Sequence, residues 1–255
     1  MVVGLDLFIQ HFEPYKGHYV LIGGSACDWQ MEQKGLPFRA TKDIDVILIV
    51  EALSDEFVSH FWQFIKDGEY AISEAGDKKQ FYRFIKPQAK GFPKMIELFC
   101  RKPDLIREVE GMHLTDIPTG EEASSLSAIL LEDEYYKFAL SNTQVLNGLH
   151  IANEYALICL KVRAFINNSK RKVEGQNVKS EDITKHKNDI IRLTATLTPN
   201  INVSIPDIIK KELKEYINTI RIENPDIKQL LKEQGGTDIT LEEIIEQLEL
   251  IFDLK

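Results

Sequence analysis

The sequence predicts a protein of the α+β class, in which a mixed N-terminal part precedes a helical C-terminal part. Within the first hundred residues, short runs rich in β-branched and aromatic residues alternate with segments of helical periodicity. After about residue 150, apolar residues recur only at helical spacing. A chain of 255 residues, 44% of them hydrophobic, is long enough to bury a core in one large domain or two smaller ones.

The first hundred residues predict the element order α-β-α-β-α-β-β. Apolar periodicity and capping residues predict three helices: residues 3–13, Ala26–Lys34 with Ser25 as its N-cap, and a helix capped by Ser54 that ends near Asp67-Gly68. Apolar and aromatic runs bounded by turn residues predict four strands: HYVLIGG (18–24), Ile44–Val50, QFYRFIK (80–86) and KMIELF (94–99).

The rest of the chain is predicted to be mainly helical. SSLSAILL (124–131) and YYKFAL (135–140) predict one more pair of strands, and VLNGLHIAN leads into a helix capped by Asn153. Helical segments follow at 182–197 and 206–220, and a capping box of Thr240 and Glu243 opens the last helix. The polar linkers 169–182 and 233–238 are expected on the surface. These patterns predict two domains, residues 1–150 and 151–255.

Charge and composition exclude several classes of protein. A net charge of −9 argues against a protein that coats nucleic acid by bulk attraction, although residues 161–192 hold nine Lys or Arg against four acids. Apolar stretches fall short of the roughly 20 residues that cross a bilayer, and no signal-peptide pattern is present, so we expect a cytoplasmic protein. The three scattered cysteines indicate neither a disulfide framework nor a zinc site.

Two aspartates lie at the beginning of the predicted apolar strand Ile44–Val50. Asp43 immediately precedes this strand, and Asp45 is its second residue. Asp43 and Asp45 are two residues apart, so on a strand they project from the same face. Because two neighbouring like charges repel each other, a fold that keeps them normally supplies a cation. Carboxylate oxygens suit Mg²⁺, and a pair of such ions can assist phosphoryl or nucleotidyl transfer. A solvated turn is the alternative interpretation of the pair.

Two further features agree with a nucleotide site. Gly23-Gly24 end a strand where Ser25 begins a helix, a geometry that lets backbone amides approach a phosphate, although an ordinary helix cap would look the same. Glu97 interrupts the apolar strand around it, so it requires a partner, which is either a metal ion or a salt-bridging cation.

The spacing of these residues resembles a known family. G-S at residues 24–25 followed by R-x-T-x-D-x-D at residues 39–45 resembles the signature of polymerase-β-type nucleotidyltransferases. The R-x-T-x-D-x-D form is similar to the AbiEii family of bacterial abortive-infection and toxin-antitoxin nucleotidyltransferases. The resemblance covers roughly residues 20–195 and implies a nucleotidyltransferase-type mixed sheet with flanking helices in the first domain.

The resemblance implies transfer of a nucleoside monophosphate from an NTP to an acceptor hydroxyl, with two Mg²⁺ ions as cofactors. The residues it assigns to metal binding and catalysis are Asp43, Asp45 and Glu97. The residues it assigns to nucleotide binding are Gly24, Ser25, Arg39 and Lys161, and Asp189 is assigned to the catalytic set. A tRNA 3′ end as acceptor and a cognate antitoxin as partner are further implications of the family.

The helical part matches the family less closely. Lys161-x-x-Ala164 resembles the family's K-x-x-A-x-x-x-R helix, but Asn168 stands at the position of its arginine. The segment 188–193 resembles the R-x-K-D-x-x-D-L element, but Asn188 replaces its lysine and Arg192 its second aspartate.

Two residues of the helical part keep alternative interpretations. Lys161 is expected either to reach the phosphates or to extend its charged end into water from an amphipathic helix. Asp189 is expected either to orient or deprotonate the acceptor hydroxyl, or to hold Lys161 or another basic neighbour in place.

Three functions are therefore compatible with the sequence. The first is an Mg²⁺-dependent nucleotidyltransferase acting on RNA as a toxin. The second is the same chemistry on a small cationic acceptor such as an aminoglycoside, which the acidic surface would attract. The third is an inactive nucleotide-binding or interaction module, because the helical-domain motifs are altered.

Overall fold

A computed structural model describes residues 2–52, 54–75, 78–100, 132–198, 201–232 and 238–255. Within these ranges the chain forms one mixed seven-stranded sheet and nine α-helices. The strands are β1 (Tyr19–Ile22), β2 (Asp43–Leu48), β3 (Ala71–Ala75), β4 (Lys78–Ile85), β5 (Met95–Phe99), β6 (Thr143–Leu146) and β7 (Leu149–Ala152). The helices are α1 (Leu5–His11), α2 (Gly23–Gln33), α3 (Asp55–Asp67), α4 (Asp133–Ser141), α5 (Glu154–Val173), α6 (Ser180–Thr194), α7 (Asp207–Glu223), α8 (Ile227–Leu231) and α9 (Leu241–Ile251).

The strand that carries the two aspartates lies in the middle of the sheet. The strand order is β3-β4-β5-β2-β1-β7-β6. β2 pairs antiparallel with β1 and parallel with β5, and β1 pairs parallel with β7. A strand with neighbours on both sides and elements packed over it favours a continuous apolar sequence, which explains why residues 44–48 are all buried. The two carboxylates of β2 therefore lie in a strand whose other residues are all apolar.

Three predicted helix caps are confirmed. The Ser54 side chain accepts a hydrogen bond from the Phe57 amide, and the Asn153 side chain accepts one from the Ala156 amide at 3.0 Å. Thr240 and Glu243 form both hydrogen bonds of a capping box at the start of α9. Each such cap contributes about 1 kcal/mol by satisfying a backbone donor that the helix leaves open.

The structure corrects several predicted elements. YYKFAL lies in helix α4 rather than in a strand, and its predicted partner, residues 124–131, lies outside the described residues. β3 was not predicted; it pairs antiparallel with β4 at one side of the sheet. The predicted linker 169–182 is shorter, because α5 continues to Val173 and α6 begins at Ser180.

The helices of the second half pack directly on the sheet and its helices. β6 and β7 form a hairpin through Asn147 and Gly148, both with positive φ, as a tight two-residue turn requires. α5 follows β7, contacts α2 on one side, and packs against α6 and α7 on the other. Buried apolar residues of both halves belong to one cluster. The division into domains at residue 150 stays a prediction.

Among the helices in the described ranges, none has both the length and the hydropathy that crossing a membrane requires.

Candidate active site

The acid pair lies on one face of the sheet centre. Asp43 and Asp45 are separated by one residue of β2, so their side chains project the same way. In the strand register Asp45 lies directly beside Glu97 of β5 on one side and beside Ile22, the last residue of β1, on the other. Asp45 is only 8% exposed, whereas Asp43 is half-buried. The sheet thus brings all three predicted metal ligands onto one face.

The glycine turn between β1 and α2 is in contact with this acid pair. Gly23 has φ +71°, and a β-carbon there would lie 1.8 Å from the Asp45 Oδ2 atom. A β-carbon on Gly24 would lie 2.8 Å from Thr41 Oγ1 and 3.3 Å from Arg39 Nη2. Side chains of the R-x-T-x-D-x-D segment therefore fill the space that side chains on the two glycines would need, and the positive φ of Gly23 independently favours glycine at that position.

Ser25 does not have the place predicted for it. Helix α2 begins at Gly23, directly after the strand, and no side chain caps it. Ser25 is fully buried in the first turn, and its hydroxyl donates to the Ile22 carbonyl at 3.3 Å. The prediction of Ser25 as the N-cap is wrong, because the helix starts at Gly23, three residues before the predicted start at Ala26. Its hydroxyl would have to rotate away from Ile22 to meet a phosphate.

The electrostatics of Asp45 are unfavourable to its charge. Burial is the largest cause that raises the pKa of the Asp45 carboxyl, and the negative charges of Glu97 and Asp43 add to this rise, so that the pKa reaches about 8. The positive charges of Lys161 and Lys185 oppose this rise without cancelling it. Near neutral pH, Asp45 therefore carries a proton unless a cation joins the site.

The charged form of Asp43 is also disfavoured by burial, but less strongly than that of Asp45. Burial raises the pKa of the Asp43 carboxyl, and Lys185 is the strongest of four basic side chains that oppose the rise. Within the described part of the chain, neither carboxylate of the pair accepts a hydrogen bond or forms an ion pair. The repulsion between the two acids is therefore not relieved by a directly bonded cation.

Glu97, by contrast, already has a cation. Arg83 lies directly opposite it on β4, and the guanidinium forms an ion pair with the Glu97 carboxylate. The described residues contain no group of three or more His, Cys, Asp or Glu side chains arranged to hold a metal ion. The salt-bridge interpretation of Glu97 thus describes this structure. A role as third metal ligand requires the Arg83 contact to open and stays a prediction.

Asp189 connects three parts of the chain. Its carboxylate, on α6, accepts hydrogen bonds from Arg39 Nε and Nη2 at 2.9 and 2.8 Å, and from Lys161 Nζ at 2.8 Å. Burial alone would raise the pKa of Asp189, but the charges of Lys161 and Arg39 lower it to about 2. A carboxylate so firmly ionised is a poor general base. Of the two predicted roles, the geometry favours holding basic neighbours in place.

Lys161 is bound in the interior of the protein. It is on α5, its side chain is only 5% exposed, and its ammonium points to Asp189 in the interior. Cys27 of α2 lies beside it, and burial raises the pKa of that thiol to about 12 although Lys161 lowers it. The lysine therefore does not extend into water, and its predicted contact with a phosphate, which would require the bond to Asp189 to open, stays a prediction. The lysine links α5 to α6.

Two residues beside the site were not singled out from the sequence. Lys185 lies four residues before Asp189 on α6, so both residues are on one helix face. His186 is buried, its Nδ1 has no hydrogen-bond partner among the described residues, and burial with the Lys161 charge lowers its pKa well below the usual range. The sequence signal that could have identified them is their spacing. Lys185 lies four residues and His186 three residues before Asp189, so on a helix both are neighbours of Asp189.

The raised pKa of Asp45 predicts a pH-dependent stability in the absence of metal. The folded-state pKa of about 8 exceeds 3.8, the ordinary pKa of an aspartate carboxyl, so the folded protein holds a proton that the unfolded chain releases. The free energy of unfolding should therefore decrease as the pH rises from about 4 to about 8. Urea unfolding in EDTA, compared between wild type and Asp45→Asn, measures this slope. Parallel pH profiles for the two proteins would show that Asp45 has an ordinary pKa.

No family model, curated protein or solved structure matches this chain.

Proposed function

We propose that this protein is an Mg²⁺-dependent nucleotidyltransferase, which transfers a nucleoside monophosphate from an NTP to an acceptor hydroxyl and releases pyrophosphate. The proposal rests first on the resemblance of residues 24–25 and 39–45 to the nucleotidyltransferase signature. It rests second on the contact between those two segments, which the pairing of β1 with β2 brings together.

The observation that carries the proposal is the buried acid pair beside the glycine turn. Asp43 and Asp45 would hold Mg²⁺, with Glu97 as a third acid if its contact with Arg83 opens. The donor set fits this ion, because Mg²⁺ takes carboxylate oxygens and is usually held by only one or two of them together with substrate phosphates. When bound, Mg²⁺ would neutralise the negative charge of the triphosphate.

The protein's own residues would mainly position the substrates. Gly23 and Gly24 keep the space in front of the acid pair free of side chains of their own. Asp189 fixes Arg39 by two hydrogen bonds, so the R-x-T-x-D-x-D segment is held against the glycine turn. In transfers of this kind, orientation and charge neutralisation supply most of the rate.

We propose RNA as the acceptor, with the 3′ end of tRNA as the specific candidate, in the manner of a toxin held by a cognate antitoxin. The basic stretch 161–192 supports an anionic acceptor, because the charges of two of its lysines, Lys161 and Lys185, act on Asp45. The overall charge of −9 favours instead a cationic small molecule such as an aminoglycoside, and this is the alternative acceptor.

Nucleotide binding without transfer is a second candidate function. It is favoured by the contacts of Ser25 and Lys161, which were predicted to bind phosphate and instead bond to other parts of the protein. The Ser25 hydroxyl is bonded to the Ile22 carbonyl, and the Lys161 ammonium is bonded to Asp189. Neither group is available to a phosphate without rearrangement.

One experiment separates these functions. The purified protein is incubated with Mg²⁺ and each radiolabelled NTP in turn, together with total RNA or with an aminoglycoside. Label on RNA supports the RNA acceptor, and label on the aminoglycoside supports the alternative acceptor. NTP binding without label transfer supports the binding module, and absence of both binding and transfer contradicts the proposed function.

A further inference from the structure

The two cations that the sequence assigned to the phosphates already share one carboxylate, that of Asp189. Lys161 and Arg39 both donate to Asp189, and the Lys161 side chain is 5% exposed. A triphosphate brought beside Asp43 and Asp45 would add further negative charge to a face that is already electrostatically unfavourable. A solvent-accessible cation near the acid pair would relieve this repulsion.

Lys185 is in the right place for that purpose. On helix α6 it lies one turn before Asp189, and Asp189 binds Arg39 of the segment that leads into β2. The same helix face therefore carries Lys185 toward the acid pair. Its charge acts on both carboxylates, since it opposes the burial that raises the pKa of Asp43 and of Asp45.

Lys185 is also available, unlike Lys161. Its side chain is 41% exposed, and its ion pair is with Asp182, three residues earlier on the same helix and 43% exposed, at 2.9 Å. Exposed pairs of this kind contribute only about 0.2–1 kcal/mol, so a bound phosphate can displace Asp182 at little cost. A lysine has the flexible stem needed to move from one partner to the other.

We propose that Lys185 is the phosphate-binding lysine of this site and contacts the triphosphate of an NTP held beside Asp43 and Asp45. The proposal rests on the proposed function, because it assigns a residue for the same nucleotide. It places the contact on α6 rather than on α5, where the sequence had placed it at Lys161.

The test compares three single variants for binding of Mg²⁺ with inorganic tripolyphosphate and with each NTP, by calorimetry. Lys185→Ala is expected to raise the Kd about tenfold or more, and Lys185→Arg should keep it within about threefold of wild type. Lys170→Ala is the matched control, because Lys170 is also an exposed lysine of the basic stretch in an ion pair, with Glu215. Its Kd should stay within about twofold of wild type. Melting temperatures of all three should match that of wild type.

The outcomes distinguish the two proposals. If the wild type binds tripolyphosphate or an NTP and Lys185→Ala binds no more weakly than Lys170→Ala, the assignment of Lys185 is overturned and the proposed function stands. If the wild type binds neither ligand in the presence of Mg²⁺, both are overturned. A lower melting temperature of Lys185→Ala with unchanged affinity would assign the lysine a structural role instead.

Discussion

Replacing Asp45 by asparagine is expected to lower the rate of nucleotidyl transfer by about a hundredfold or more, without unfolding the protein. The substitution keeps the size of the side chain but removes a charge that a metal ion needs. Stability should not suffer, because burial and two acidic neighbours already make the charged form of Asp45 unfavourable in the absence of metal. Asp43→Asn is expected to act in the same direction, since the two carboxylates share one face. Transfer of label from NTP, with the melting temperature measured in parallel, tests both variants.

The matched control for these variants is Asp6→Asn, which removes one negative charge from an exposed position on α1. Its transfer rate should equal that of the wild type. If Asp45→Asn transfers nucleotide as fast as Asp6→Asn does, the acid pair has no part in the chemistry. A transfer rate that falls only in proportion to a lower folded fraction would likewise assign Asp45 a structural role.

Replacing Asp189 by alanine is expected to cost about 3–5 kcal/mol of unfolding free energy, the largest stability loss that we predict. Removal of this carboxylate leaves the buried Lys161 ammonium without a counter-charge and frees the Arg39 guanidinium from its two hydrogen bonds. The pKa of Asp189, lowered to about 2, means that its stabilising contribution is fully present above pH about 4. This contribution is lost as the pH falls through about 2. Urea unfolding near neutral pH measures the loss.

The control for Asp189→Ala lies on the same helix. Asp182→Asn removes an exposed carboxylate that also pairs with a lysine, and it should cost no more than about 1 kcal/mol. The double variant Asp189→Leu with Lys161→Met should recover part of the loss, because an apolar pair leaves no buried lysine charge uncompensated. If Asp189→Ala and Asp182→Asn cost the same, Asp189 does not organise the interior as its contacts suggest.

Local sequence signals predicted the elements whose ends carry specific side chains. The caps at Ser54, Asn153 and Thr240 were predicted because a side chain that satisfies an open backbone amide acts within three residues. The aromatic run at 135–140 was misassigned as a strand. Four of its apolar side chains face the core from a helix, a pattern too short to distinguish from a buried strand by periodicity.

The sequence likewise predicted only the part of the candidate site that local geometry determines. The same-face arrangement of Asp43 and Asp45 follows from strand geometry, and their position beside Glu97 requires only that β2 and β5 pair. Of the partners of Asp189, Lys161 was named from the sequence as one of two alternatives, whereas Arg39, which lies 150 residues from Asp189 in the chain, was not. Which of several cations a buried carboxylate holds depends on helix packing that no local pattern encodes. The roles of Lys161 in phosphate binding and of Glu97 in metal binding stay predictions, and in the structure both side chains form ion pairs.

Equilibrium binding of a non-hydrolysable NTP analogue, with and without Mg²⁺, tests most directly whether the acid pair is a metal and triphosphate site. We expect the wild type to bind the analogue in Mg²⁺ at least about tenfold more tightly than in EDTA, and the Asp43→Asn, Asp45→Asn double variant to lose this difference. Because Asp45 must release its proton to bind the ion, the Mg²⁺ effect should increase from about pH 6 to about pH 8. Equal affinity with and without Mg²⁺ in the wild type, or an unchanged Mg²⁺ effect in the double variant, would contradict the metal and triphosphate site.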